Sequence, residues 1–293
     1  MRRWLGAVWA LLVAGVLGCA GPTDNEIPGY LRLEPPLVET RPVNGAAVVS
    51  EGFSRDVWLF QGGQYVGTFQ PPVTVPLLNR ERTRYLARLG VWNTGDPQQR
   101  VIYPFWQFDT LDYAFRPEEE TSWRPRARYF DDSTLAYPYR EDFEGSTIGL
   151  VYGEGIGTDT TFLTRETGAA FEGRQFGRVR FGERQRVFFM LGPRSFRLPR
   201  RMVWAEVSYR GSRKFGLGLL GQSGNQEALI PAPPGYVSAL PPDPEGWQRI
   251  YFDLTPIVTS TTEEATYRLY LNSISDGTPA ELDIDYIRIV HFR

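Results

Sequence analysis

The chain has 293 residues, with 32 Lys and Arg against 34 Asp and Glu, one histidine and one cysteine. A formal charge of −2 offers no basic field for nucleic acid, and a single thiol permits no intramolecular disulfide. Aromatic residues make up 14%, and 30 glycines and 23 prolines punctuate the chain, so short strands and turns are predicted in place of long helices.

The first predicted element is a secretory signal over residues 1 to 18. Arg2 and Arg3 supply its positive start, and Trp4 to Leu17 its apolar core. That core is shorter than the roughly 20 residues a membrane-spanning helix needs. Val16, Leu17, Gly18 and Cys19 resemble the lipobox of bacterial lipoprotein precursors. The resemblance implies cleavage before Cys19 and lipid attachment to its thiol, which would anchor the chain to a membrane. Ala20, in place of an aspartate after the cysteine, implies the outer membrane, with the periplasmic and surface faces both open. Without Arg2 and Arg3, 30 basic residues face 34 acidic ones.

Residues 19 to 29 form a short polar tether, and a first β-sandwich domain is expected over 30 to 117. Tyr30 to Leu33 alternate apolar and polar. Asp56 to Phe60 and Gln64 to Phe69 flank Gln61-Gly62-Gly63, the signature of a hairpin. Pro71, Pro72 and Pro76 bracket Val73 to Val75, and Arg84 to Val91 and Arg100 to Phe105 read as further strands. The hairpin ending Tyr65-Val66-Gly67 and the prolines after it resemble small Ig-like sandwiches of the PEGA type. Together with Ile27-Pro28-Gly29-Tyr30, Asp56-Val57-Trp58 and Val101 to Phe105, they also resemble a group of Gram-negative lipoproteins of unassigned activity. This likeness runs from about residue 27 to about 130 and implies architecture and location, not chemistry.

Residues 118 to 140 read as a linker, because Glu118-Glu119-Glu120, Pro125 and Asp131-Asp132 suit a solvated connector. The other reading is a protein-contact segment built from Trp123, Arg124, Arg126, Tyr129 and Phe130, residue types enriched at interface hot spots.

A second domain is expected over 141 to 293. Met202 to Tyr209, Phe215 to Leu220, Gln248 to Leu254, Ala265 to Leu271 and Leu282 to Val290 read as strands. Glu245 to Thr255, Leu282 to Val290 and the opening Asp142-Phe143-Glu144 resemble strands of galactose-binding-like jelly rolls. The predicted fold is therefore all-β, two consecutive β-sandwich domains, a small Ig/PEGA-like sandwich followed by a jelly roll. Strict alternation would put Asp283, Asp285, Ile287 and Ile289 on one side, so either a bulge intervenes or the aspartates sit at the sheet end. By the same resemblance, Asp142, Glu144 and Asp285 are candidate ligands of a structural calcium, which prefers oxygen donors.

The residues point away from catalysis. His291 is the only histidine, no nucleophile elbow is present, and Gly153 to Gly157 lack the lysine of a phosphate loop. Carboxylate pairs drawn from Glu154, Glu166, Asp243 and Glu245 would serve a glycoside hydrolase, but with 34 acids such pairs discriminate nothing. No enzyme and no cofactor beyond the calcium are expected. The leading expectation is a noncatalytic, outer-membrane-anchored lipoprotein that docks a protein of a cell-envelope assembly. The alternative is an envelope glycan-binding lipoprotein whose jelly roll presents Tyr137, Tyr139, Tyr152 and Tyr236 to sugar rings. Trp204 and Trp247, inside predicted strands, are expected in the core.

Overall fold

A computed structural model describes residues 27–40, 49–78, 81–153, 160–237, 245–262 and 264–293. Cys19, with Val16, Leu17 and Gly18 before it, lies outside the described residues, as do Glu154 and Asp243. Within them the fold is all-β apart from one short helix, and its strands form two successive sandwiches.

The first sandwich contains β1 (Gly29–Leu33), β2 (Leu37–Glu39), β3 (Val49–Ser50), β4 (Asp56–Gln61), β5 (Gln64–Phe69), β6 (Val73–Leu77), β7 (Thr83–Trp92), β8 (Arg100–Ile102), β9 (Asp109–Tyr113), β10 (Glu120–Trp123) and β11 (Arg126–Arg128). Leu31 and Leu33 are fully buried while Arg32 between them is exposed, as alternation requires. Gly62 and Gly63 close the β4–β5 hairpin with φ of +53° and +83°, the two positive values of a tight hairpin turn.

The stretch 118 to 140, expected as a linker, is folded. Strand β10 lies parallel to β1, and β11 lies parallel to β2. These pairings bury Trp123, Ala127 and Tyr129 in the first core despite the charges around them. The same stretch ends inside a strand of the second sandwich.

That sandwich contains β12 (Leu135–Glu141), β13 (Val151–Tyr152), β14 (Leu163–Thr167), β15 (Gln175–Phe181), β16 (Val187–Leu191), β17 (Phe196–Arg197), β18 (Val203–Gly211), β19 (Gly216–Ser223), β20 (Gln226–Pro231), β21 (Gln248–Asp253), β22 (Thr266–Ile274) and β23 (Ala280–Phe292). A helix, α1 (Thr255–Ser260), follows β21 and buries Ile257 and Val258. One sheet runs β14-β15-β23-β18-β21, with β12 also on β23; the other runs β13-β16-β22-β19-β20, with β17 also on β22. Their facing sides supply one apolar core, with Val207, Phe252 and Ile284 meeting Phe188, Leu217 and Leu271.

A bulge resolves the parity of the last strand. Glu206 pairs with Arg288 and Ser208 with Asp285, so β23 carries one extra residue, and Tyr286 takes a φ of +49°. Leu282 and Ile284 before the bulge, and Ile287 and Ile289 after it, consequently all reach the same core.

The other face of the β18–β23 sheet packs on the first sandwich, whose core includes Trp204, Tyr251 and Val290. At this junction Glu206 is fully buried with Arg249 and Arg288. Tyr103 also donates to Glu206 from the first sandwich. The backbone joins in where Asn93 bridges Tyr251. One side of the second sandwich is thus used internally.

Candidate functional site: the open face of the second sandwich

Among the described residues, no further sheet covers the outer face of the β16–β22–β19 sheet. Alternation along β22 sends Tyr267, Leu269 and Leu271 to the core and leaves Thr266, Arg268, Tyr270 and Asn272 on the outer side, where Tyr270 is nonetheless only 4% exposed. Cross-strand register sets Leu191 and Gly218 beside Tyr270, Phe189 and Gly216 beside Asn272, and Leu220 beside Arg268.

Two glycines shape this surface. A Cβ on Gly218 would stand 2.5 Å from the Tyr270 ring, so Tyr270 lies across the sheet only because residue 218 has no side chain. A Cβ on Gly216 would likewise collide with Asn272 and with the Gly235 carbonyl. Phe189 packs on Tyr270 with ring centroids 5.7 Å apart and planes at 30°. Burial raises the Tyr270 hydroxyl to a pKa of about 12, so it remains a neutral donor near neutral pH.

A groove of about 510 Å³ crosses this face. Val151, Tyr152, Phe189, Leu191, Leu220 and Leu229 provide apolar walls, and Glu227 and Arg268 are its charged groups. Arg268 donates from Nε to the Gly192 carbonyl at 2.7 Å, which fixes its guanidinium against the groove. Tyr236 stands on the same sheet face outside the groove's lining, 43% exposed, with its hydroxyl 3.5 Å from Asn272 Nδ2. Tyr152, 39% exposed, lines the groove, and its ring meets Phe162 edge-on at 4.7 Å. Its hydroxyl accepts the Leu163 N–H at 3.2 Å.

Tyr236 and Tyr152 are therefore the two tyrosines of the expected glycan set that reach this face. Tyr139 is a core residue bonded to the Gly149 carbonyl at 2.6 Å. Tyr137 is packed at the sandwich junction, sandwiched by Arg140 at 4.0 Å and Arg288 at 5.2 Å. The expected protein-contact set divides as well. Trp123 and Tyr129 are buried, and Phe130 packs on Phe292, while exposed Arg124 pairs with Glu51 at 2.9 Å. Arg126 is exposed beside Asp109, which accepts its backbone N–H. Trp204 is buried as expected, but Trp247 is only half-buried and stacks under Arg210 at 4.7 Å.

The carboxylates considered for calcium serve backbone amides. Asp285 accepts from Phe171, Glu172 and Tyr286, at 2.7 to 3.1 Å. Glu144 accepts from Arg174 and Gln175, each at 2.6 Å, and Asp142 accepts from Glu144. Among the described residues, no three His, Cys, Asp or Glu side chains are grouped to hold a metal ion. Asp285 and Glu144 thereby fasten the 171–175 loop to the strands.

Sequence reading missed Phe189, Arg268, Tyr270 and Glu227. The parity of β22 marks Arg268 and Tyr270 as outward once the strand is accepted. Phe189 has no such signal, because Val187 to Leu191 form an unbroken apolar run.

Comparison with family models and with curated protein sequences finds no match. Among solved structures, the CBM22-1 xylan-binding domain from Paenibacillus barcinonensis is 17% identical, covering 53% of this chain and 93% of its own, with a TM-score of 0.35. The family 30 carbohydrate-binding module of a Clostridium thermocellum cellulosomal cellulase is also 17% identical, covering 55% and 94%, with a TM-score of 0.34. Carbohydrate-binding modules of the β-sandwich superfamily are 13% identical over 91% of this chain and 99% of theirs, with a TM-score of 0.38. Scores this low carry no inference about a ligand. The class defined by the chain's own strands is the layered β-sandwich.

Proposed function

We propose that the chain is a noncatalytic glycan-binding protein and that the groove lined by Tyr152, Phe189 and Arg268 is its binding surface. The observation that carries this reading is the half-buried ring of Phe189 in the groove wall, braced from below by the buried Tyr270 ring and set beside Arg268 and Glu227. Aromatic rings offer an apolar face to the C–H surface of a pyranose, while Arg268 and Glu227 supply donors and acceptors for hydroxyls. Five hydrogen-bonded strands span roughly 19 Å from edge to edge, enough for several sugar units laid across them.

The docking role loses support from the placement of its residues, since Trp123 and Tyr129 are occupied inside the molecule. The proposal keeps Cys19 as the lipid-bearing residue and the outer membrane as its location, on the strength of the Val16 to Cys19 sequence. A glycan array probed with the full chain in detergent tests the reading. Retention of at least one polysaccharide is expected, and silence across plant, algal and bacterial envelope polysaccharides would refute it.

A further inference from the structure

The groove is chemically uneven along the strands. At the Phe189 end it is aromatic; toward the start of β22 it carries the charged side chains Arg268 and Glu227. Arg197 pairs with Thr266, two residues before Arg268 on the same outward parity, so both arginines share this end of the sheet face. Arg197 is exposed and Arg268 half-buried. Among the described residues neither guanidinium has a carboxylate within ion-pair distance. Glu227 lies on β20, across β19 from β22, so two strand spacings, roughly 10 Å, separate its backbone from that of β22. Its carboxylate lines the same groove and is not ion-paired to Arg268.

Arg268 has the attributes of a built anion contact. Its Nε is committed to the Gly192 carbonyl, which orients the planar fork and leaves its terminal nitrogens for a ligand. A fork held this way matches a carboxylate in two parallel hydrogen bonds, which a hydroxyl cannot reproduce. The partial burial that orients it also limits solvent screening.

We infer that the groove selects acidic glycans, with a uronic-acid carboxylate on the Arg268 fork, Arg197 adding long-range attraction and a neighbouring sugar stacked at Phe189. This rests on the glycan-binding reading and goes beyond it by naming the ligand's charge. Nothing covalent is involved; the recognition consists of a charge-assisted bidentate contact beside an aromatic platform.

The test compares polygalacturonate, glucuronoxylan and alginate with carboxyl-reduced forms of the same polymers, by retardation of the full chain in detergent-containing affinity gels. At least one acidic form is expected to bind roughly tenfold more tightly than its reduced counterpart, the scale of one charged hydrogen-bonded contact. Arg268→Gln should abolish that preference while leaving residual binding to the reduced polymer, and Arg268→Lys should restore part of it. Equal or stronger binding of the reduced forms would overturn acid selection while leaving glycan binding intact. Binding to no form, acidic or reduced, would overturn both. Unchanged unfolding midpoints of the variants would separate a lost contact from a lost fold.

Discussion

The Tyr129 hydroxyl lies 3.0 and 3.1 Å from the two carboxylate oxygens of Glu206, joining the first sandwich to the second inside a buried cluster. Arg288 donates from Nε to the same carboxylate at 2.8 Å, and its guanidinium lies 4.4 Å from the Tyr129 ring. Arg249 stacks on Phe53 at 4.4 Å and on Tyr286 at 4.5 Å. Two guanidinium groups thus share one carboxylate, and aromatic faces supply the remaining attraction.

Replacing Glu206 by Gln leaves two buried cations without their counter-charge. The expected loss is about 3–5 kcal/mol of stability, read by urea unfolding. Because side chains from both sandwiches occupy the same core, unfolding should remain one transition in the native protein. Separate transitions by tryptophan fluorescence and by circular dichroism would show that the junction does not couple them.

Asp285 gives a pH dependence of definite sign. It is fully buried, and burial raises its pKa to about 7 even though three backbone N–H groups donate to it. An acid with a raised folded-state pKa keeps a proton that the unfolded chain has released. Its favourable contribution is therefore complete below about pH 4 and declines as the pH rises to about 7. Asp285→Asn should remove that decline, so the variant gains on the native protein between pH 4 and 7 by on the order of a few kcal/mol. Parallel stability curves over that range would exclude the effect.

Gly218→Ala tests the platform beneath the groove. The added methyl meets the Ile230 carbonyl and stands 2.5 Å from the Tyr270 ring, so the ring must lift or the strands must part. A loss of about 1–3 kcal/mol is expected, together with weaker polysaccharide retention. Gly62→Ala, which meets no neighbouring atom, should leave retention unchanged and cost only the strain of its positive φ.

Cys19→Ser addresses the proposed anchor. Cell fractionation should move the chain from membranes to the soluble fraction, and continued co-sedimentation of the variant with membranes would contradict lipid attachment at this residue.

Local signals in the sequence carried far. Gly62-Gly63 between two alternating runs announces its own hairpin, and the conflicting parity of Asp285 and Ile287 announces the bulge now seen at Tyr286. The parallel pairing of β10 with β1 was hidden because its partners lie about 90 residues apart and Glu118 to Glu120 disguise the strand as solvated. Tyr129 and Tyr137 looked like loop aromatics for the same reason, since the layer that buries them comes from the distant β23. At the groove, Tyr152 and Tyr236 stood out as loop tyrosines. Phe189 acquires its role only when β16 pairs with β22 and brings it to Tyr270.

The most direct measurement of glycan binding at the open face is retardation of Phe189→Ala in a gel containing an array-positive polysaccharide, beside the native chain and Tyr65→Ala. Tyr65 is 56% exposed on the first sandwich, outside the groove's lining, and serves as an aromatic control. Phe189→Ala should weaken retention about tenfold while Tyr65→Ala leaves it unchanged. Equal retention of Phe189→Ala and the native chain would contradict binding in this groove.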